Sequence, residues 1–184
     1  MARKKEIDPD RILDAADALI LETGGRNFTL DAVAERAGIS KGGLVYSFAT
    51  KDALVAAALE REMTRFQTAV DQRVGTPKPA KDRQLLAHVE EALAEDDSLA
   101  RQAAFLMVTL VHAPDMIGPA RDFYRRLFEL FEPDTSHGRD ARQAILAVEG
   151  LFLLRGLGLY DVQLEEWKAV LKHAGQTIRN GLRA

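Results

Sequence analysis

The chain has 184 residues, of which 47% are hydrophobic and 29% charged; its formal net charge is −3 and it contains no cysteine. The apolar content excludes a disordered chain, and the lack of cysteine excludes a disulfide scaffold, a thiolate metal site and a cysteine nucleophile. The slight acidity argues against a protein that coats nucleic acids without selectivity. The longest uncharged apolar stretch, residues 102–114, is shorter than the roughly 18–20 residues that cross a bilayer, and no signal peptide is visible. We therefore expect a cytoplasmic protein without a membrane partner.

Residues that favour helix N-termini precede four apolar helical patterns in the N-terminal part of the chain: Asp8, Thr29, Ser40 and Thr50. The first pattern ends at Gly24-Gly25 and the second at Gly38, because glycine readily adopts the left-handed conformation that ends a helix. The third is short and ends near Phe48. The fourth is long and reaches residues 75–79, where a glycine and two prolines predict a loop.

The chain after this loop predicts only further helices. Apolar residues recur at helical spacing through five stretches, 81–95, 98–113, 119–131, 139–160 and 162–182. The stretch 98–113 is apolar on nearly all sides, which predicts a central, buried helix. No stretch alternates apolar and polar residues for long enough to indicate a strand. The sequence thus predicts an all-α fold.

Residues 28–52 have the pattern of two short helices joined by a tight turn. Gly38 lies where such a turn requires a positive φ, Ile39 can pack between the two helices, and Ser40 can cap the second. This is the arrangement of a helix-turn-helix, whose second helix fits the major groove of DNA.

Residues 39–54 read I-S-K-G-G-L-V-Y-S-F-A-T-K-D-A-L, and with their flanking helices, over residues 12–59, they resemble the helix-turn-helix signature of the TetR family of transcriptional regulators. Ala49 stands where that family usually has proline, and Ser47 stands where histidine or tyrosine is common. The layout of the whole chain is similar too: a three-helix N-terminal module, a long connecting helix and a helical C-terminal part.

The resemblance implies a DNA-binding transcriptional regulator, most often a repressor, and not an enzyme. It implies a helix-turn-helix domain over residues 1–51 and a helical ligand-binding and dimerisation domain over residues 52–184. It further implies a homodimer that binds a palindromic double-stranded DNA operator and is released by a small, apolar effector. Helices 139–160 and 162–182 would form this dimer, with the stripe around Trp167 facing the partner or packing within its own subunit.

The motif residues that the resemblance assigns to DNA binding lie at helix N-termini or on the recognition helix: Thr29, Ser40, Lys41, Gly42, Gly43, Tyr46, Ser47 and Lys51. Thr29 and Ser40 would cap their helices and also contact phosphates. Gly42 and Gly43 each cost a helix about 1 kcal/mol relative to alanine, which favours a role in close approach to the groove. Tyr46 and Lys51 would contact phosphates, the alternatives being a core position for the tyrosine and a merely solvated lysine. The basic residues 3–5 would solubilise the terminus or reach DNA.

Aromatic and polar side chains of the second half are the candidates for an effector pocket: Phe105, Thr109, His112, Phe123, Tyr124, Phe128, Phe152 and Arg155. Small-molecule pockets are mostly apolar with a few polar anchors, which is the composition of this set. Each aromatic residue could equally fill the core. Arg155 interrupts an apolar run and would reach solvent, pair with an acid such as Glu149, or face the pocket.

The sequence shows no catalytic or cofactor-binding pattern. The four histidines are scattered, and the dinucleotide, P-loop, zinc-protease and serine-hydrolase motifs are absent. We therefore expect no cofactor and no metal. An all-α ligand-binding protein or a helical adaptor without DNA binding is the alternative to a regulator.

The charge distribution qualifies the first impression from the net charge. Residues 1–51 hold eight basic and eight acidic residues, whereas residues 52–184 hold 17 basic and 20 acidic residues. The acidity therefore belongs to the second half. A dimer that places a few positive charges and helix N-termini on phosphates is compatible with these numbers.

Overall fold

The computed structural model describes residues 8–23, 28–75, 81–132 and 134–181. Within these ranges the chain forms nine α-helices and no strand, which confirms the predicted all-α fold. The helices are α1 (Pro9–Thr23), α2 (Leu30–Ala37), α3 (Lys41–Ser47), α4 (Lys51–Val74), α5 (Lys81–Ala94), α6 (Asp97–Thr109), α7 (Gly118–Phe128), α8 (Ser136–Gly156) and α9 (Leu164–Gly181).

The predicted N-caps of the first four helices are present. A side-chain oxygen of each capping residue accepts a backbone N–H of the first helical turn, at 3.0 Å for Asp8, 3.2 Å for Thr29, 3.1 Å for Ser40 and 3.0 Å for Thr50. Gly38 ends α2 in the left-handed conformation with φ 66°, as the turn requires. The predicted stop at Gly24-Gly25 and the prolines of the 75–79 loop lie outside the described residues.

Two predictions about the C-terminal helices are wrong in detail. The helix expected over 98–113 ends at Thr109, and it is not buried on all sides, because Val108 is 48% exposed and, just beyond the helix, Val111 is 69% exposed. The helix packs against α1, α4 and α8, which leaves one side uncovered. The helix expected over 139–160 ends at Gly156, and Gly158 follows with φ 65°.

Two hydrophobic cores meet along α4. The first core joins α1, α2, α3 and the N-terminal half of α4 to α6, and it contains Leu44, Leu54 and Leu106. The second core joins α5, α7, α8 and α9, with Met63 and Phe66 of α4 packed against it. A displacement of α4 therefore acts on both cores.

Polar contacts reinforce the connection between the two halves. Arg61 of α4 hydrogen-bonds Asp14 at 2.8 Å and also contacts Asp17, both on α1. His112, which follows α6, has its Nε2 3.2 Å from a carboxylate oxygen of Asp52 in the first turn of α4. The three-helix N-terminal unit is thus held to the rest of the chain by side chains as well as by α4.

Candidate nucleic-acid interface and interior cavity

Helix α3 has one buried and one exposed face. Leu44 is fully buried in the first core, whereas Lys41, Gly42, Val45 and Tyr46 are exposed. Tyr46 is 91% exposed, so it does not belong to the core. A tyrosine whose ring is exposed to solvent and does not pack inside the monomer is typical of a residue that contacts a partner.

The remaining candidates on α3 differ in their surroundings. No atom lies within 4 Å of the position that a Cβ would take at Gly42, so packing inside the chain does not require glycine there. Gly43 and Ser47 are half-buried. Val45 shares the exposed face with Tyr46 but was not among the sequence-based candidates; its spacing of four from Lys41 was the available signal.

The N-terminal ends of α2, α3 and α4 lie close together. Lys41 Nζ at the start of α3 is 3.0 Å from a carboxylate oxygen of Asp31 in the first turn of α2. Lys51 Nζ at the start of α4 is 5.3 Å from the centroid of the Phe28 ring, just before α2. Thr29 and Thr50 cap α2 and α4, and both residues are exposed. Hydroxyls, ammonium groups and helix N-termini grouped in this way favour anions such as phosphates.

An interior cavity of about 50 Å³ lies between α4, α5, α6, α7, α8 and α9. It is lined by apolar, aromatic and ionisable side chains: Glu62, Met63, Arg65, Phe66, His88, Ala92, Glu95, Ala103, Phe123, Val148, Glu149, Phe152 and Trp167. Within the described ranges, no group of three or more acidic or histidine side chains is arranged to hold a metal ion.

Two hydrogen-bonded networks border the cavity. In the first, one carboxylate oxygen of Glu149 lies 2.8 Å from His88 Nε2, and the other accepts the Tyr124 hydroxyl at 2.9 Å. In the second, Arg65 donates to Glu62 at 3.0 Å and to Glu95 at 2.6 Å. The first network joins α8 to α5 and α7, and the second joins α4 to the C-terminal end of α5.

Burial shifts the titration of two groups in these networks. Burial raises the pKa of Glu95 above its usual range, and Arg65 opposes this rise. Burial, followed by the neighbouring charge of Glu149, raises the pKa of the Tyr124 hydroxyl far above its usual value. Tyr124 is therefore a hydrogen-bond donor to Glu149 throughout the physiological pH range.

The cavity brings together only part of the predicted effector set. Phe123 and Phe152 line it, and Tyr124 reaches it through Glu149. Phe128 packs instead against Phe131, with ring centroids 5.4 Å apart, and lies outside the cavity. This cavity therefore contains only part of the predicted set, and the role of the eight residues in effector binding stays a prediction.

The other four predicted residues also lie outside this cavity. Phe105 contacts Phe28 edge-on, with ring centroids 6.1 Å apart, and so joins α6 to the N-terminal unit. The Thr109 hydroxyl donates to the Phe105 carbonyl at 2.9 Å, and His112 is exposed beside Asp52. The Arg155 guanidinium lies over the Trp167 ring, 4.9 Å from its centroid, and borders a surface cleft.

The sequence-based effector set does not include several residues that line the cavity, among them Glu62 and His88. Glu62 is 5% exposed and lies on the same side of α4 as Leu59 and Phe66, at spacings of three and four residues. His88 is 4% exposed and lies between Leu85 and Ala92 on the buried face of α5. An ionisable residue inside an apolar helical stripe was the signal that could have found both.

A separate apolar surface lies on α8. Leu146, Leu153 and Leu154 are 49%, 37% and 41% exposed, and the exposed Gly150 has no neighbour near its Cβ position. The apolar stripe of α9, by contrast, packs within its own chain, where Trp167 and Leu171 belong to the second core. The expectation that the α9 stripe faces a partner is therefore replaced by the alternative that it packs within its own subunit.

A helix-turn-helix with an exposed second helix, placed on an all-α body that encloses a cavity, defines a DNA-binding transcriptional regulator with a ligand-binding domain. Two family models match the chain: bacterial regulatory proteins of the tetR family over residues 12–58, and the tetracyclin repressor-like C-terminal domain over residues 82–179. The chain belongs to the TetR family of transcriptional regulators.

Solved structures agree with this fold. A transcriptional regulator from Rhodococcus sp. Rha1 is 21% identical with a TM-score of 0.71, over 95% of this chain and 97% of the other. The fatty acid degradation regulator FadR from Bacillus halodurans is 20% identical with a TM-score of 0.65, over 95% and 99%. The multidrug binding protein EbrR, complexed with imidazole, is 24% identical with a TM-score of 0.64, over 95% and 96%. A search of curated proteins finds no match to the sequence.

Membership of the TetR family indicates general properties, without identifying an operator or a ligand. Regulators of this family bind DNA and small-molecule ligands, and they dimerise. None of the described helices has the length and apolar character needed to cross a bilayer.

Proposed function

We propose that the protein is a homodimeric repressor that a small effector releases from a palindromic operator. The recognition helices of the two subunits, residues 41–48, would enter successive major grooves about 34–36 Å apart. The observation that carries this proposal is the exposed face of α3, where Tyr46 is 91% exposed and Gly42 leaves the backbone open.

The DNA contacts divide into two groups. Lys51 and Thr29 would bind phosphates at the N-termini of α4 and α2, and the exposed Tyr46 of the last turn of α3 would bind a further phosphate. The α3 residues Ser40, Lys41, Gly42, Gly43 and Ser47 would orient and approach the groove. Lys41 contacts Asp31 in the free protein, so phosphate binding would replace that pair rather than recruit an unpaired charge.

The dimer would form through α8 and α9. Exposed leucines on α8 offer an apolar surface that no other part of the described chain covers, and the open Gly150 permits close approach of a second helix. A two-fold axis through this surface would present two recognition helices to two half-sites. In this arrangement residues 1–51 form the DNA-binding domain and residues 52–184 the effector and dimerisation domain.

The interior cavity would be the effector site. Its volume of about 50 Å³ is far below the roughly 300–1,000 Å³ of a pocket that holds a drug-sized ligand. A ligand must therefore separate the surrounding helices, and α4 is one of them. Because α4 also belongs to the first core, its displacement would change the spacing of the recognition helices. The effector must favour the displaced state by several kcal/mol, about 5.5 for a nearly complete switch.

A gel shift with DNA from the region upstream of its own gene tests the proposal. We expect salt-sensitive binding by the purified dimer, and a loss of about 100-fold or more in the double variant Tyr46→Ala, Lys51→Ala, because two phosphate contacts disappear. The variant Lys81→Ala, which removes an exposed lysine from α5, is the matched control and should bind as the wild type does.

Circular dichroism and gel filtration establish that both variants keep the fold and the oligomeric state. No binding of the wild-type dimer at low salt would refute the repressor function and favour a helical ligand-binding protein or adaptor. Unchanged affinity of the double variant would refute the contact assignments.

A further inference from the structure

We propose that the effector admitted to the interior cavity is an organic cation with an aromatic or otherwise apolar body. This inference rests on the proposed function in one respect, namely that the cavity is the effector site. It specifies the ligand class, since an apolar molecule without charge would leave the buried carboxylates of the lining unused.

The charge of the lining is unbalanced. The cavity is bordered by three carboxylates, those of Glu62, Glu95 and Glu149, and by one guanidinium, that of Arg65. Arg65 is shared between Glu62 and Glu95. Among the described residues, Glu149 is held by the Tyr124 hydroxyl and the His88 ring rather than by an arginine or a lysine. A carboxylate in a water-poor site is stabilised most by a neighbouring positive charge, which a bound cation would supply.

The aromatic part of the lining suits the same ligand. Phe66, Phe123, Phe152 and Trp167 border the cavity, and Phe66 meets Phe123 edge-on with ring centroids 5.9 Å apart. The faces of aromatic rings attract cations, and rings combined with carboxylates are the usual surroundings of bound quaternary ammonium groups. Trp167 already attracts one cation of the chain, since the Arg155 guanidinium lies 4.9 Å from its centroid.

The position of Glu149 links cation binding to the opening of the cavity. Its two carboxylate oxygens hold His88 of α5 and Tyr124 of α7, so these bonds keep three helices together. A cation at Glu149 would compete with both donors and would weaken the contacts of α8 with α5 and α7. Ligand binding and helix separation would therefore be the same event, as the small volume of about 50 Å³ requires.

The single tryptophan of the chain provides a direct measurement, because Trp167 lines the cavity. Tetraphenylphosphonium and tetraphenylborate serve as probes, since they have nearly the same shape and opposite charges. We expect titration of the full-length protein with tetraphenylphosphonium to change the Trp167 fluorescence with saturation. Tetraphenylborate should bind at least about tenfold more weakly, because it would approach desolvated carboxylates.

Two variants separate the charge of Glu149 from its shape. Glu149→Gln keeps an acceptor for Tyr124 but removes the charge, and it should weaken tetraphenylphosphonium binding about tenfold or more. Glu149→Asp keeps the charge and should weaken tetraphenylphosphonium binding less than Glu149→Gln does. Glu90→Gln removes the same charge from α5 outside the cavity, where Glu90 pairs with Arg179, and should bind the cation as the wild type does.

Equal binding of the two probes, or equal affinity of the wild type and Glu149→Gln, would overturn the inference. If Glu149→Gln does not fold, as circular dichroism would show, the probe comparison and Glu149→Asp still decide, since a loss of about tenfold or more in Glu149→Asp, which keeps the charge, contradicts the charge argument. Operator release is measured separately by gel shift. Carboxylate-dependent cation binding without release would support the ligand class and refute the effector role, whereas operator binding without cation preference would support the DNA-binding function and refute the ligand class.

Discussion

The face of α3 that we propose to bind DNA and the interior cavity place their polar groups in opposite ways. On α3 the polar and small residues are exposed, and Tyr46 is 91% exposed. Around the cavity the ionisable groups are inside, with Glu62 and His88 only 5% and 4% exposed. The face of α3 is open to solvent, whereas the cavity is bordered by hydrogen bonds that join its helices.

Because of this difference, a substitution on α3 is expected to have little effect on stability, whereas a substitution around the cavity is expected to affect it. Exposed residues of α3 make few contacts inside the chain, so their replacement changes DNA binding with little effect on folding. The buried carboxylates depend on their partners, because a charge left alone in the interior is costly. A variant of the cavity therefore affects folding and ligand binding together, so its binding data must be accompanied by a measurement of its stability.

The largest expected effect concerns the exposed apolar face of α8, which we propose as the dimer interface. If this face is not an interface, it differs from both regions compared above, since it neither binds a partner nor encloses a ligand. Leu146→Asp places a charge on that face, and we expect a monomer by light scattering coupled to gel filtration. Operator binding should weaken about 100-fold or more, because the two half-sites would no longer be bound as one unit.

Val111→Asp, which alters an aliphatic residue that is 69% exposed outside α8 and α9, is the control and should leave the dimer intact. A dimer of unchanged stability in Leu146→Asp would place the interface elsewhere.

A pair of neighbouring residues on α3 sharpens the contrast between buried and exposed positions within one helix. Leu44 is fully buried, and Leu44→Ala should lower the free energy of unfolding by about 2–5 kcal/mol in urea denaturation. Val45 is 39% exposed, and Val45→Ala should change the free energy of unfolding by less than about 0.5 kcal/mol. The same variant should weaken operator binding several-fold. Equal stability losses for the two variants would contradict the described orientation of α3.

The smallest expected effect concerns Asp17, a half-buried carboxylate on α1 that contacts Arg61 of α4. Burial raises the pKa of Asp17 from 3.8 to about 6, and this outweighs the opposing effect of Arg61. The folded state therefore holds the proton more tightly than the unfolded state. This contribution to stability is fully present below pH 3.8 and is lost as the pH rises through about 6.

The asparagine of Asp17→Asn does not ionise. The melting temperature of this variant minus that of the wild type should therefore increase as the pH is raised from 4 to 7. Thermal unfolding followed by circular dichroism at these two pH values measures the difference. A difference between wild type and Asp17→Asn that does not vary with pH would contradict the raised pKa.

The local features of the N-terminal part could be predicted from the sequence because short-range rules decide them. Thr29, Ser40 and Thr50 bond to backbone N–H groups only three residues away, and Gly38 is needed for a positive φ within the turn itself. The exposure of Tyr46 follows from the same helical spacing that buries Leu44. The outward position of Tyr46 was expected from the resemblance to the TetR signature, with a core position as the alternative, and its exposure removes that alternative.

The sequence by itself determined the all-α class, the caps and turns, and the helix-turn-helix. Only the tertiary structure decided which side chains share the cavity. Glu149 meets His88 and Tyr124 from helices far apart in the chain, and Arg65 meets Glu95 across α4 and α5. It also decided that α9 packs inward and that α8 presents leucines outward. The physical reason is that helical periodicity determines which residues share a face, whereas the packing of all nine described helices determines what each face meets.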